Sequence, residues 1–524
     1  MNTGICILYD EDMDVDILIK RATIVDGYWP TPYIGDVAIT DGVIEIVSSC
    51  RATCNAKKVI DGKGKYLIPG IIDMHSHSDL MVVKNEPFIH KIGMGITTEV
   101  IGNCGIGCFP ATRENQLGSL NYDVLGELRQ FTSFDEYKES YNLAHPSSNI
   151  VAFQGHAPLR IEVMKEHAHQ KATNEEIVEM QNLLHKSFSL GVRGFSSGLY
   201  YDPCVYADEG ELLALLSVVK EHNGIFAVHH RQEGDGIIES IEEVLHLAKI
   251  SGVSLQISHL KAIGKENQDK VGKVLSLIEE AHREGLDVSF DQYPYEWGAT
   301  SLSSLLPPSI LALSLDERNQ MLSTSEGREK VKKEIEHPLG FDSIIHLCGF
   351  DDITMLTYDS DESVMGKTIT EIASLWKADV WDAFFTLINN TKNSALMSDI
   401  TQSRESIERI MSHPLGFFST DAIYSGSEYH RRSTHAVQDL FDRFYVEKEV
   451  LSLHNHIKRM CVEPAKKLKL EKRGMIQIGY IGDLVLLDIP PISSRKTHIE
   501  KVFVGGKIAY ENNVMRNGYE SIIL

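Results

Sequence analysis

The sequence predicts a TIM-type (β/α)8 barrel carrying a small β-sandwich domain made from both chain ends, with an insertion before the last barrel strand. Three observations lead there. Eight short apolar runs of strand character alternate with amphipathic helices through the middle of the 524 residues, the rhythm of a parallel sheet with crossover helices. Hairpin-like strands with turn punctuation open the chain and return near its end. A stretch over residues 295–416, far longer than an ordinary connection and helical in its own patterning, separates the seventh run from the eighth.

The terminal module comes first. Residues 17–24, 36–40 and 43–47 read as strands, the last two joined by Asp41-Gly42, a two-residue hairpin signal. The same texture recurs over residues 483–487, 501–504 and 507–510, with Gly505-Gly506 as the final turn. Residues 1–68 and 474–524 are therefore expected to form one composite β domain, with a barrel over 69–473 inserted between them.

The barrel strands are expected at residues 66–74, 97–101, 149–153, 192–195, 225–228, 254–258, 287–290 and 416–419. Helix signals fall between them. Thr173-Asn174-Glu175-Glu176 is a capping box before Ile177, Met180, Leu184 and Phe188 on one face, and Gly191 ends that run. Asp208 to Glu211 repeats the device, and Gly224, Gly252 and Gly285 are each expected to close a helix shortly before the next strand. An open doubly wound sheet is the rival, but no glycine-rich phosphate turn accompanies these strands. Residues 296–415 are read as a lid or substrate-facing subdomain.

Composition narrows the function classes. A net charge of −23, from 51 basic and 74 acidic side chains, opposes binding to nucleic acid or anionic lipid. No apolar run approaches the roughly 20 residues of a membrane helix. The first residues carry Asp10, Glu11, Asp12 and Asp14 and no early basic group, unlike the start of an export signal, so a cytoplasmic location is expected. Eight scattered cysteines suit reduced thiols rather than a disulfide framework. Nothing in the sequence specifies an oligomeric state.

In such a barrel, reactive groups sit where strands end. The first strand runs into Asp73-Met74-His75-Ser76-His77, the second into Gly102-Asn103-Cys104-Gly105, the fifth into His229-His230-Arg231, the sixth into His259-Leu260-Lys261 and the eighth into Thr420-Asp421. Strand alternation points His75 and His77 to one side, so the pair can share an ion. His229 and His259 are one βα unit apart, which places them on neighbouring strands at one height. A single histidine at a strand end is usually a hydrogen-bonded structural residue, and a lone Cys104 usually a small buried hydrophobe. Five imidazole and thiolate groups on one rim point instead to a metal centre. His156 and Arg160, after the third strand, are expected to face the same mouth, as substrate-positioning or loop-stabilising groups.

These residues resemble a known family, the D-aminoacylases or N-acyl-D-amino-acid deacylases of the amidohydrolase superfamily, nearly end to end. The likeness lies in Pro69-Gly70-Ile71-Ile72-Asp73-Met74-His75-Ser76-His77-Ser78-Asp79, in Gly95-Ile96-Thr97-Thr98-Glu99 leading to Gly102-Asn103-Cys104-Gly105, and in Ser196-Ser197-Gly198-Leu199-Tyr200-Tyr201. It continues in Ile257-Ser258-His259-Leu260-Lys261, Tyr293-Pro294-Tyr295, Thr420-Asp421 and Ile481-Gly482-Asp483-Leu484-Val485. The resemblance implies a zinc held tightly by Cys104, His229 and His259, with His75 and His77 completing a second, weaker position. It implies that the carboxylate of an N-acyl amino acid is gripped by Lys261, Tyr293 and Arg432 with Tyr201 nearby, and that the D configuration is preferred. The family pattern is altered at His230, Ala299 and Ala422, and around Arg432.

The expected reaction is hydrolysis of a linear amide by a zinc-activated water, with Asp421 as proton carrier, since amine expulsion needs a proton. A cyclic amidohydrolase of the hydantoinase or dihydroorotase kind is the alternative within the superfamily. Against it stand Cys104 and the pair Ser196-Ser197 where such enzymes carry a lysine. A non-catalytic barrel scaffold is the alternative of another class.

Overall fold

The computed structural model of the chain describes residues 13–49, 52–84, 88–111, 131–144, 146–391, 395–425, 429–491 and 495–524. Cys6, Cys50 and the acidic Asp10, Glu11 and Asp12 lie outside the described residues.

Eight parallel strands form the barrel: β1 (Ile71–Asp73), β2 (Ile96–Ile101), β3 (Asn149–Gly155), β4 (Gly194–Gly198), β5 (Ile225–His229), β6 (Ser254–Ile257), β7 (Val288–Gln292) and β8 (Gly416–Phe418). They pair in sequence order from β1 to β8. The seam between β8 and β1 is closed by Met74 N–H donating to Phe418 O at 3.4 Å and by a short parallel pairing of Ser76–His77 with Ala422–Ile423. Ile72, Val100, Val151, Ala227 and Phe417, from five of the strands, pack into one buried cluster. The alternate side chains Phe195, Phe226, Leu255 and Phe290 pack against the outer helices. Burying each of the larger of these side chains contributes on the order of 1.5–3 kcal/mol.

The first barrel strand is shorter than expected. The run over 66–74 breaks at Gly70, where a side-chain carbon would meet Thr97 Oγ1 at 2.2 Å. Tyr66–Pro69 joins the other sheet, and Ile71–Asp73 the barrel. That second, nine-stranded sheet draws on both chain ends: Leu484–Asp488 pairs antiparallel with Tyr66–Pro69, which in turn pairs with Asp14–Ile24. Its hairpin turn has both Asp41 (φ 49°) and Gly42 (φ 79°) left-handed, as a type I′ turn requires.

The helices follow their signals with two exceptions. Asn174–Ser189 opens on the Thr173–Glu176 capping box, and Ile237–Ser251 ends on left-handed Gly252. At Glu209–Glu221 the Asp208 carboxylate caps Glu211 N, but the Glu211 side chain turns into the core instead of returning to the cap. Before β5 the left-handed residue is Asn223, not Gly224. Between β7 and β8 lies a three-stranded antiparallel sheet, Trp297–Ser301, Ala395–Ile400 and Ile353–Tyr358, with its own helices and its own buried core. Among the described residues no helix is long and apolar enough to cross a membrane, and the described cysteines are free thiols.

Candidate metal centre and substrate site

The strand ends bring six polar side chains to one buried point. His75 and His77 follow β1, Cys104 follows β2, His229 closes β5, His259 follows β6 and Asp421 follows β8. Cys104 Sγ is 3.2 Å from His75 Nε2, 3.4 Å from His259 Nε2 and 3.9 Å from His229 Nδ1. Asp421 Oδ1 lies 3.5 Å from His75 Nε2 and 3.3 Å from His77 Nε2.

Local backbone makes this convergence possible. Cys104 (φ 53°), His259 (φ 31°) and Asp421 (φ 48°) all adopt the left-handed conformation that L residues avoid. Such conformations persist where the surroundings over-determine them, and they concentrate at functional sites. The glycines beside Cys104 let its loop approach its neighbours. A side-chain carbon on Gly102 would meet Phe153 O at 2.1 Å, and one on Gly105 would meet Gly198 N at 2.7 Å. Gly102 N–H also donates to the Asp79 carboxylate at 3.0 Å, fixing the turn from behind.

The donor set suits a borderline-soft divalent cation. It combines a thiol, four imidazoles and a carboxylate, and it divides into overlapping triplets: His75, Cys104 and His259, and His75, His77 and Asp421. Nδ1 of His77 and Nε2 of His229, the ring nitrogens opposite those that converge here, are buried without a hydrogen-bond partner. Burial pushes the imidazoles of His229 and His259 well below the usual histidine range, so both are neutral with lone pairs to offer. Burial likewise pushes the Cys104 thiol up, and a cation at this point is what would draw off its proton. Burial opposes the charge on Asp421 too, but Arg432, with Nη1 at 2.8 Å, and the neighbouring histidines outweigh it and hold the carboxyl well below its usual range.

The four residues expected to touch substrate surround this point. Lys261 Nζ donates to Glu233 Oε1 at 2.6 Å and stands 2.9 Å from His259 Nδ1. Arg432 lies over the Tyr293 ring, 4.9 Å from its centroid, and donates to Ala299 O. The Tyr201 ring packs edge-on against His229 at 4.7 Å. Both cations are thus already paired with carboxylates inside the site.

Two acids escaped the sequence reading. Asp291, at the end of β7, accepts from His259 N–H at 3.0 Å and lies 3.4 Å from His75 Nδ1. Glu233 stands 3.2 Å from His259 Nδ1. Asp291 faces the His75 imidazole and Glu233 that of His259, the place carboxylates take behind metal ligands. Asp291 could have been found as the acidic residue ending an apolar strand; Glu233, four residues beyond His229, carries no such signal.

His156 and Arg160 do not face the mouth. They are fully buried on the helix His156–Met164, where His156 Nε2 is 2.8 Å from Glu211 Oε1 and Nδ1 is 3.0 Å from Ser197 Oγ. Arg160 donates to both Glu211 oxygens and to the carbonyls of Ala168 and Gln170. Glu211 is the acid that leaves its helix cap. Acid, imidazole and hydroxyl here have the order of a hydrolytic triad, but the serine is sealed in the core. The network buttresses Ser197-Gly198, and Gly198 lies so close to Cys104 that a side-chain carbon there would meet Cys104 O at 2.2 Å.

Comparison with known proteins places this geometry. A family model described as the amidohydrolase family matches residues 359–510. N-acyl-D-glutamate deacylase of Alcaligenes xylosoxydans xylosoxydans is 26% identical over 483 residues, covering 92% of this chain and 89% of that protein. The crystal structure of N-acyl-D-glutamate deacylase from Bordetella bronchiseptica, complexed with zinc and a phosphonate mimic of the reaction's tetrahedral intermediate, superposes with a TM-score of 0.80 at 25% identity over 95% of this chain and 97% of that one. A structure of D-aminoacylase, described with a binuclear metal centre, superposes with a TM-score of 0.81 at 25% identity over 97% and 99%.

Proposed function

This chain belongs to the D-aminoacylase family of the amidohydrolases, and we accordingly propose that it is a zinc-dependent hydrolase of N-acyl-D-amino acids, releasing a carboxylic acid and the free D-amino acid. The observation that carries this reading is the meeting of Cys104 with His75 and His259 beside the ionised Asp421.

Cys104, His229 and His259 would hold the tight zinc, and His75, His77 and Asp421 a second, weaker one. A bound zinc supplies Lewis acidity, polarising the amide carbonyl and making water acidic enough to attack near neutral pH. Asp421, ionised beside Arg432, accepts a proton from the attacking water as the new C–O bond forms. It then returns that proton to the amide nitrogen as the C–N bond breaks, so the amine leaves neutral. Lys261, Arg432 and the Tyr293 hydroxyl receive the substrate carboxylate, and Tyr201 walls the site against His229. Charge-assisted contacts at the carboxylate would fix the scissile bond in place, converting binding energy into orientation.

The substrate partner is a small molecule, and a net charge of −23 disfavours polyanions. The free thiols fit a reducing compartment, so a cytoplasmic location is part of the proposal. The test is zinc analysis of the purified chain together with hydrolysis of paired N-acetyl-D- and N-acetyl-L-amino acids, with hydantoins and dihydroorotate as cyclic controls. Zinc at one or more equivalents with turnover of the D series is the expected result. Turnover of the cyclic amides alone, or zinc-free protein inert on every substrate, overturns it.

A further inference from the structure

The seam where the barrel closes is weakly hydrogen-bonded by its backbone. The strand ladder has β1 at one end and β8 at the other, bridged by Met74 N–H to Phe418 O at 3.4 Å, and pairing resumes only at Ser76–His77 with Ala422–Ile423. Asp421 lies in the gap, in a left-handed conformation, with its N–H donating to His75 O at 2.9 Å.

Side chains fill that gap. Asp73 Oδ1 accepts from Thr420 N–H at 2.8 Å and from His75 N–H at 3.3 Å, so one carboxylate oxygen holds the backbone on both sides of the seam. Asp73 Oδ2 accepts from Thr420 Oγ1 at 2.6 Å and from Lys91 Nζ. Lys91 Nζ also donates to Thr420 Oγ1 at 2.9 Å, and Thr420 Oγ1 accepts in turn from Ala422 N–H at 3.2 Å. Lys91 Nζ is 3.5 Å from Glu99 Oε2, and Glu99 takes the hydroxyls of Ser76, Ser78 and Ser148. Lys91, Asp73, Glu99 and Thr420 are all completely buried. A buried ammonium among carboxylates and hydroxyls is a fixed geometry rather than a surface ion pair, because any displaced partner is left without water.

We infer that Lys91, Asp73 and Thr420 form a clasp across the barrel seam whose role is to set Asp421 against His75, making Lys91 and Thr420 positioning residues for the proton carrier. Neither side chain is one of the donor groups or expected substrate contacts named above; of those residues Thr420 Oγ1 reaches only the backbone carbonyl of His75, at 3.5 Å. Thr420 acts through the peptide that leads into Asp421, and Lys91 through the carboxylate that binds that peptide. The inference rests on the reading of Asp421 given above. Its signature is a defect confined to Asp421 and its histidine neighbours, leaving the Cys104, His229 and His259 group intact.

The experiment compares Thr420→Val, which keeps the shape and removes the hydroxyl, with Thr420→Ser, which keeps the hydroxyl. Both are measured as full-length zinc enzymes for kcat and KM, and as apoenzymes titrated with Co(II) and followed by visible absorption. For Thr420→Val, kcat should fall at least about thirtyfold with KM within about threefold of wild type. The first Co(II) equivalent should bind as in wild type and the second at least about tenfold more weakly. Thr420→Ser should recover both to within about threefold. Lys91→Met should reproduce the Thr420→Val pattern if it folds. An unchanged kcat and second Co(II) affinity in Thr420→Val, equal impairment in Thr420→Ser, or loss of both Co(II) equivalents together would overturn the inference. If wild-type enzyme turns over none of the N-acyl amino acids, the functional reading falls, and the clasp is still decided by the second Co(II) equivalent.

Discussion

Nδ1 of His229 and Nε2 of His259 stand 3.0 Å apart, two neutral imidazole nitrogens from adjacent barrel strands directed at one point beside Cys104. With neither imidazole charged, the two nitrogens can share a hydrogen bond in the metal-free chain, and beside the Cys104 thiol they are placed to take a common cation instead. Removing one ligand should therefore remove the metal: Cys104→Ala and His259→Ala are expected to lower bound zinc below about half an equivalent after dialysis and activity by at least about a thousandfold. Elemental analysis beside the activity assay checks this, and full zinc retention in both variants would count against the assignment.

Metal removal should also lower stability, because a ligand that binds only the folded state stabilises it by mass action. At free zinc about a hundred times its dissociation constant the contribution is about 2.7 kcal/mol. Chelator-treated protein is expected to unfold several degrees below the zinc form in calorimetry, and readdition of zinc should restore the difference.

Asp421→Asn keeps the shape and the Arg432 contact but cannot carry the proton. An expected kcat loss of about 10²- to 10⁴-fold, with the tight zinc retained, separates proton transfer from metal binding. A variant that loses zinc in step with activity would assign Asp421 to coordination alone.

Lys261 and Arg432 are paired with Glu233 and Asp421 in the free protein, so binding a carboxylate means sharing cations already in use. Lys261→Met should lower kcat/KM for N-acyl amino acids by at least about tenfold. N-acyl amines lacking the carboxylate should be affected far less. Equal losses on both substrate types would show that Lys261 serves the fold.

The His156–Glu211 pair makes a pH-dependent contribution to stability. Burial disfavours the charged imidazole, but Cys204 and Glu211 beside it prevail and raise His156 to about 9. A raised histidine stabilises the fold fully below its unfolded value of 6.5 and loses that contribution as pH climbs through about 9, a loss on the order of 3 kcal/mol. Glu211, also opposed by burial but held below its usual range by His156 and Arg160, sets the acid limit, its contribution fading as pH falls. The melting temperature of wild type should fall between pH 6.5 and 9.5 more steeply than that of His156→Gln; parallel curves would refute the assignment.

The parallel strands and their helices were legible because each rests on a local signal. Thr173 and Glu176 form their capping box from neighbouring residues, and runs such as Asn149–Gly155 are apolar on both faces, as a covered parallel strand demands. The break at Gly70 was not legible, since nothing near it in sequence records that Thr97 and Asp483 pack on either side. His156 and Arg160 were misplaced for the same reason: position after a strand suggested the mouth, and the partner that draws them inward, Glu211, lies some fifty residues away in a helix whose cap it was expected to complete.

By itself the sequence determined which chemical groups end the strands, because strand and helix periodicity is a property of neighbouring residues. Only the tertiary structure decided that Asp73 bridges His75 and Thr420, that Glu233 and Asp291 stand behind the histidines, and that Lys261 and Arg432 are already neutralised. Those are contacts between residues far apart along the chain, set by how the barrel closes, and electrostatics inside it depends on distances that no local pattern encodes.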